Sequence, residues 1–148
     1  KSRLLAESLL RLSSDLERLQ FPVSDIMQRP VELPVVREAQ LSLETVIRAI
    51  SHYKVGYCLV VNQQDSLAGI ITDGDLRAEL LNHIDDLNCV DVHRLVNRRP
   101  LAITEDCLVN EAFRQIHSHS KRITFLPITD PEGRLKGAIS MNQLIRGH

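Results

Sequence analysis

The residues best suited to chemistry in this sequence lie in the run Gly69-Ile70-Ile71-Thr72-Asp73-Gly74-Asp75-Leu76-Arg77. An apolar stretch that reads as a buried strand ends at Thr72, and a helical pattern starts at once. A fresh helix N-terminus offers unpaired backbone N–H groups and partial positive charge, both suited to a phosphate. The Thr72 hydroxyl adds a donor, and the Asp75 carboxylate can accept from both hydroxyls of a cis-diol such as ribose. Arg77 adds charge to an anion site. The same residues also support a purely structural reading. Thr72 or Asp73 is a good N-cap, and Asp75 in the first turn complements the helix dipole without any ligand. Sequence alone leaves both readings open.

A second run, Gly137-Ala138-Ile139-Ser140-Met141-Asn142-Gln143, repeats the pattern. Ser140 stands where Thr72 stood, and Gln143 stands where Asp75 stood. Glutamine both donates and accepts, but it grips a diol less firmly than a carboxylate does. Lys121-Arg122-Ile123-Thr124 sets two cations just before a buried strand, where they either contact phosphate or are solvated at a helix end. His117 and His119 have the look of a metal pair. They fall near a helix C-terminus, where imidazoles suit the dipole, and no third ligand is evident, so no metal is expected. There is no Gly-x-Ser-x-Gly elbow and no Gly-x-x-x-x-Gly-Lys phosphate loop. Asp85 and Asp86 read as a solvated linker. No catalytic constellation emerges, and the chain is not expected to be an enzyme.

The elements that must position these residues repeat along the chain. In the first unit, residues 23–27 open with a helical turn and 30–36 are extended. Residues 41–53 form a helix with Leu43, Val46, Ile47 and Ile50 on one face. Residues 57–61 and 67–72 are strands around a turn, and 73–81 are a helix. In the second unit, 92–96 are the turn, 100–103 are extended and 109–117 are a helix. Residues 123–128 and 135–140 are strands, and 142–145 begin a last helix. Gly69 and Gly137 occupy equivalent places, 68 residues apart. Units of about 60 residues bury too little surface alone, so the two should pack as one module about a pseudo-two-fold axis. Residues 83–91 link them. Ahead of both, residues 2–20 carry a leucine stripe on a helical pattern that Phe21-Pro22 stops. The expected division is an N-terminal amphipathic helix or linker over 1–21, one repeat over 22–84 and the other over 85–148.

Composition narrows the function. Of 148 residues, 43% are hydrophobic and 3% aromatic, which calls for an aliphatic core. Eighteen basic residues against 19 acidic give no basic footprint for nucleic acid or a membrane surface. No apolar run is long enough to cross a bilayer, and residues 4–6 are cut short by Glu7 before any signal-type stretch can form. Cys58, Cys89 and Cys107 have apolar neighbours and no Cys-x-x-Cys pairing, and read as reduced core or near-core residues of a cytoplasmic protein.

The two repeats, with Asp25-Ile26-Met27 and Arg94-Leu95-Val96 openings and Gly69-Ile70-Ile71-Thr72 and Gly137-Ala138-Ile139-Ser140 closes, resemble a tandem pair of cystathionine β-synthase (CBS) domains, a Bateman module. The resemblance covers about residues 23–147. It implies an α/β (α+β) fold of two β-α-β-β-α repeats and two clefts that commonly hold adenine nucleotides or related ligands. It also implies a homodimer. By resemblance Thr72 and Asp75 contact phosphate and ribose in one cleft, with Asp73 and Arg77 beside them. Ser140, with Lys121 and Arg122, lines the other, where Gln143 departs from the family's aspartate, and Ile123 is a further candidate ligand contact. The first run, with Asp25-Ile26-Met27 and Leu33-Pro34-Val35, is also similar to the C-terminal CBS pair of D-arabinose-5-phosphate isomerases of the KpsF/GutQ type. That implies a regulatory part of a sugar-phosphate isomerase, attached to a catalytic domain and sensing an adenine or cytidine nucleotide or nucleotide-sugar. The segment also resembles CBS pairs attached to sugar nucleotidyltransferases. A dimerisation module with a vestigial cleft is a further alternative.

Overall fold

The computed structural model describes residues 20–118 and 123–140. The leucine-striped segment, Lys121, Arg122, Gln143 and the last expected helix lie outside the described residues. The first repeat runs β1 (Val35–Arg37), α1 (Leu43–Tyr53), β2 (Tyr57–Val61), β3 (Leu67–Thr72) and α2 (Asp73–Asn82). A short helix α3 (Val92–Leu95) leads to β4 (Ile103–Thr104), α4 (Val109–Ser118), β5 (Phe125–Thr129) and β6 (Leu135–Ser140). Each repeat holds a three-stranded sheet, ordered β1-β2-β3 and β4-β5-β6. The first two strands of each sheet pair parallel and the last two antiparallel.

Local sequence explains these elements. The β2 run Tyr-Cys-Leu-Val-Val is buried at every position, which is what a continuous apolar strand covered on both faces requires. Ser42 caps α1: its Oγ accepts from the Thr45 N–H at 3.2 Å, and Thr45 Oγ1 accepts from the Ser42 N–H at 2.9 Å. Lys54, at φ 55, closes the same helix in the left-handed region. The two hairpin turns use one device. Asn62 Oδ1 accepts from the N–H of Gln64 and Ser66, and Asp130 Oδ1 from the N–H of Glu132 and Arg134. Two expectations for the elements of the first repeat differ from the structure. Residues 30–32 form a 3-10 turn, with Pro30 at its start and Glu32 accepting from the Arg29 N–H, so the extended segment shrinks to β1. Ile47, placed by periodicity on the inner face of α1, is 39% exposed, while Val46 is fully buried.

The repeats are joined by symmetric exchanges. Tyr57 and Phe125 open β2 and β5, and their rings stack with centroids 3.7 Å apart. The Leu67 N–H donates to the Gly133 carbonyl, and the Leu135 N–H donates to the Asp65 carbonyl. Leu59, Val61, Leu135 and Ala138 fill the core between the two sheets. The opening turns also cross over. Val23 packs into the cluster of Ile103, Phe113, Leu126 and Ile139 of the second repeat. Val92 and Val96 pack into the cluster of Val46, Cys58, Val60 and Ile71 of the first. A repeat in sequence and a packed core are therefore different sets of residues.

The two equivalent glycines make this crossing possible. Asn97 and Ile70 exchange backbone hydrogen bonds of 2.7 and 3.0 Å, and Gln28 and Ala138 exchange bonds of 2.9 and 3.0 Å. A Cβ on Gly69 would collide with the Val96 side chain and the Asn97 carbonyl, and one on Gly137 with the Gln28 carbonyl and Met27. Both obstacles include backbone, which cannot swing aside as a side-chain tip can.

The cysteines separate by burial. Cys58 is fully buried on β2, and burial pushes its thiol up to about 12. Cys107 is half-buried, and its thiol is raised by burial first and then by Glu111 and Asp106. Cys89 is exposed, contrary to the near-core expectation. Its 3-10 turn, Leu87–Cys89, is pinned by Asp86 and runs over the surface, so its apolar neighbour Leu87 is left 46% exposed.

Two outcomes follow for stability and reactivity. Gly69→Ala and Gly137→Ala each lose about 1–3 kcal/mol in urea unfolding through overpacking. Gly74→Ala, where an added Cβ meets nothing within 4 Å, is neutral or stabilising. A disulfide reagent at pH 8 labels Cys89 first and Cys107 more slowly, and reaches Cys58 only when the chain unfolds.

Candidate functional site

The strand-to-helix junction singled out in the sequence faces an open cleft of about 570 Å³. That volume lies in the range of small-molecule sites. Its lining mixes apolar side chains, Ile70, Leu101, Ile123, Phe125 and Pro127, with polar ones, Thr72, Asp75, Asn97, Arg99 and Thr124. Three segments supply it. The first repeat gives the end of β3 and the start of α2. The second gives the linker after α3 and the start of β5.

Thr72 fulfils both readings of its sequence. It is the N-cap of α2, and its Oγ1 accepts from the Asp75 N–H at 3.2 Å. A hydroxyl that accepts still has its own proton to donate, and Thr72 stands in the cleft wall. Asp75 is exposed on the first turn and also lines the cleft. Asp73 and Arg77 instead pair with each other at 2.6 Å along the helix surface, and neither lines this cleft. Ile123 lines it with Thr72 and Asp75. The resemblance set Lys121 and Arg122 beside Ser140, yet the segment that directly follows them runs along the Thr72 cleft. Ser140 ends β6, paired in register with Phe125, as Thr72 is paired with Tyr57.

Asn97, Arg99 and Thr124 belong to this cleft and were missed by sequence reasoning. Asn97 is held by its backbone exchange with Ile70, and its Oδ1 accepts from the Arg99 N–H at 3.0 Å. This local turn orders the linker and sets Arg99 on the cleft wall. The neighbouring Arg98 pairs with Glu38 of the first repeat. The guanidinium of Arg99 has no carboxylate partner among the described residues. Its signal was present in the sequence as the Asn-Arg-Arg-Pro step before an apolar strand, but nothing in that step names the helix it faces. Phe125 is buried and stacked against Tyr57, and the rest of the apolar lining is aliphatic. Among the described residues no group of three His, Cys, Asp or Glu side chains gathers as a metal site, and no helix is long and apolar enough to cross a membrane.

The CBS domain pattern matches the chain twice, over residues 23–82 and 91–147. The chain belongs to the CBS domain family. Over 122 residues it is 34% identical to arabinose 5-phosphate isomerase KpsF of Escherichia coli, a match covering 82% of this chain and 36% of that protein. It thus spans little more than a third of that curated relative. Among solved structures, CBSX2 in complex with AMP superposes with a TM-score of 0.71 at 25% identity, covering 86% of this chain and 95% of CBSX2. The CBS domain pair of MJ0100, solved with 5'-methylthioadenosine and S-adenosyl-L-methionine, has the same fold, with a TM-score of 0.70 at 20% identity over 86% of this chain and 94% of that one.

The cap in this CBS pair can be weighed apart from any ligand. Thr72→Val, which keeps the shape and removes the acceptor, lowers unfolding stability by about 1 kcal/mol in ligand-free protein, while Thr72→Ser restores most of it.

Proposed function

We propose that this CBS pair is a ligand-sensing regulatory module that binds a nucleotide or nucleotide-sugar in the Thr72 cleft. In this reading it forms the C-terminal part of a sugar-phosphate isomerase of the arabinose-5-phosphate isomerase type. The mixed lining of the cleft carries the proposal. Its apolar side chains suit a base, Asp75 suits the ribose hydroxyls, and Thr72 with the N-terminus of α2 suits phosphate. CBSX2 binds AMP and MJ0100 binds adenosine derivatives, which supports an adenine nucleotide. The similarity to KpsF supports an isomerase parent and leaves room for a cytidine nucleotide or nucleotide-sugar as its signal.

Regulation would follow from where the cleft sits. A ligand touching α2 of one repeat and the linker and β5 of the other stabilises one arrangement of the pair. It shifts an attached catalytic domain only as far as its affinity differs between two arrangements. Exposed Leu81, Ile84 and Leu87 supply apolar surface for a homodimer. Three free cysteines suit the cytoplasm, where thiols stay reduced.

A thermal-shift series with AMP, ADP, ATP, CMP, CMP-sugars and UDP-sugars tests the reading, because a ligand bound only to the folded state raises the melting temperature. One or more of these ligands is expected to raise it clearly. Asp75→Ala is expected to weaken that ligand by roughly 1–3 kcal/mol, the scale of a lost charged hydrogen bond, with little change in unfolding stability. No shift at millimolar concentration with any of them would leave the dimerisation module with a vestigial cleft as the better reading.

A further inference from the structure

We infer that Glu38, which lies outside the Thr72 cleft, is a positioning residue for it. Through its ion pair with Arg98 it holds the linker that carries Asn97, Arg99 and Leu101 into the cleft lining. The inference rests on the nucleotide reading for its effect on affinity, and adds a residue that sets the shape of the site.

The linker has few ties of its own. Asn97 exchanges backbone hydrogen bonds with Ile70, and Ile103 joins β4. Between those points, among the described residues, the backbone makes a single hydrogen bond, from the Arg99 N–H to Asn97 Oδ1. That bond is local, so it shapes the turn without anchoring it to another element. Leu101 packs against the core of the second repeat. The polar contact that fastens this stretch to the first repeat is the bond from the Arg98 guanidinium to the Glu38 carboxylate. Glu38 stands on the 3-10 turn Glu38–Gln40 between β1 and α1. The linker is therefore fastened to one repeat by charge and to the other by apolar packing, beside the cleft that both repeats line.

The pair stands apart from the other ion pairs of the described residues. Those run along one helix or, for Arg37 and Asp65, stay within the first repeat. The other crossing segment has no such tie. Arg29 follows Gln28, which exchanges backbone bonds with Ala138, as Arg98 follows Asn97. Glu105 follows β4 as Glu38 follows β1. No ion pair joins Arg29 to Glu105. Half-exposed ion pairs contribute little to global stability. A short linker, however, opens locally without unfolding the rest, so the loss of its tie shows there first. A freed linker must also be ordered again when a ligand binds, which lowers affinity.

Amide hydrogen exchange of the ligand-free full chain, together with AMP titrations, tests this. Glu38→Ala and Arg98→Ala are each expected to speed exchange at the Ile70 and Asn97 amides by about two- to fivefold. The matching Gln28 and Ala138 amides and the urea midpoint should stay essentially unchanged. Each variant is expected to weaken AMP by about two- to fivefold. The two change net charge in opposite senses, so a plain field effect on an anionic ligand would move affinity in opposite directions. The double variant Glu38→Arg, Arg98→Glu should restore both readouts, which a loss of side-chain bulk would not allow. Unchanged exchange at Ile70 and Asn97, equal acceleration at Gln28 and Ala138, unchanged AMP affinity, or no rescue by the double variant would overturn the inference and leave the nucleotide reading intact. No binding of AMP or CMP to the parent chain would remove the nucleotide reading, and exchange at Ile70 and Asn97 would still decide whether Glu38 holds the linker.

Discussion

Everything in this module depends on two places where backbone meets backbone without a side chain between. At Gly69 the linker carrying Asn97 comes close enough to exchange two hydrogen bonds with β3, and at Gly137 the segment carrying Gln28 does the same with β6. Unpaired buried backbone groups are costly, so these exchanges lock the crossing segments in register. Locked there, Val92 and Val96 complete the core of the first repeat, and Val23 completes the core of the second. Neither repeat keeps a full core without residues from outside its own sheet and helices. That is how two units of such small size reach a stable fold.

The same constraint builds the cleft. Because the linker must pass over Gly69, the residues after Asn97 emerge beside the end of β3, where α2 begins. Thr72 and Arg99 line the same cleft there although 26 residues of chain separate them from one another. Arg98 and Arg99 then point to different fates. One closes an ion pair with Glu38 on the first repeat, and the other stands on the cleft wall. An Asx turn at Asn97 fixes which is which.

Much of this was legible in the sequence, and what was not has a physical reason. Strands and helices could be read because burial imposes a period, and the strand-to-helix junction at Thr72 announces itself by residue type alone. The paired glycines could be seen to match, but not why glycine is required, since the clash partner arrives from elsewhere in the chain. Asn97, Arg99 and Thr124 stayed hidden for the same reason. They sit on irregular chain and at a strand edge, where no period marks a facing surface. Ile47 was misplaced because a helical stripe identifies a face but not the edge at which packing stops. The 3-10 turn at Pro30 escaped because proline is compatible with both an extended segment and the first turn of a helix.

The cap at Thr72 shows why structural and functional readings of one residue need not compete. An N-cap uses the hydroxyl oxygen as an acceptor and leaves its proton free, and it leaves other first-turn N–H groups pointing outward. Folding therefore prepares the donors an anion needs without spending them. The second repeat places Ser140 at the matching strand end, so the chance to form a like site arises from the fold on both sides. The crossing segments differ between the two sides. Two more residues there turn an arginine-bearing linker into a proline-led turn with a glutamate. A pseudo-symmetric fold can thus carry asymmetric chemistry, because its symmetry is held by glycines and backbone bonds while its specificity lies in side chains those bonds do not constrain.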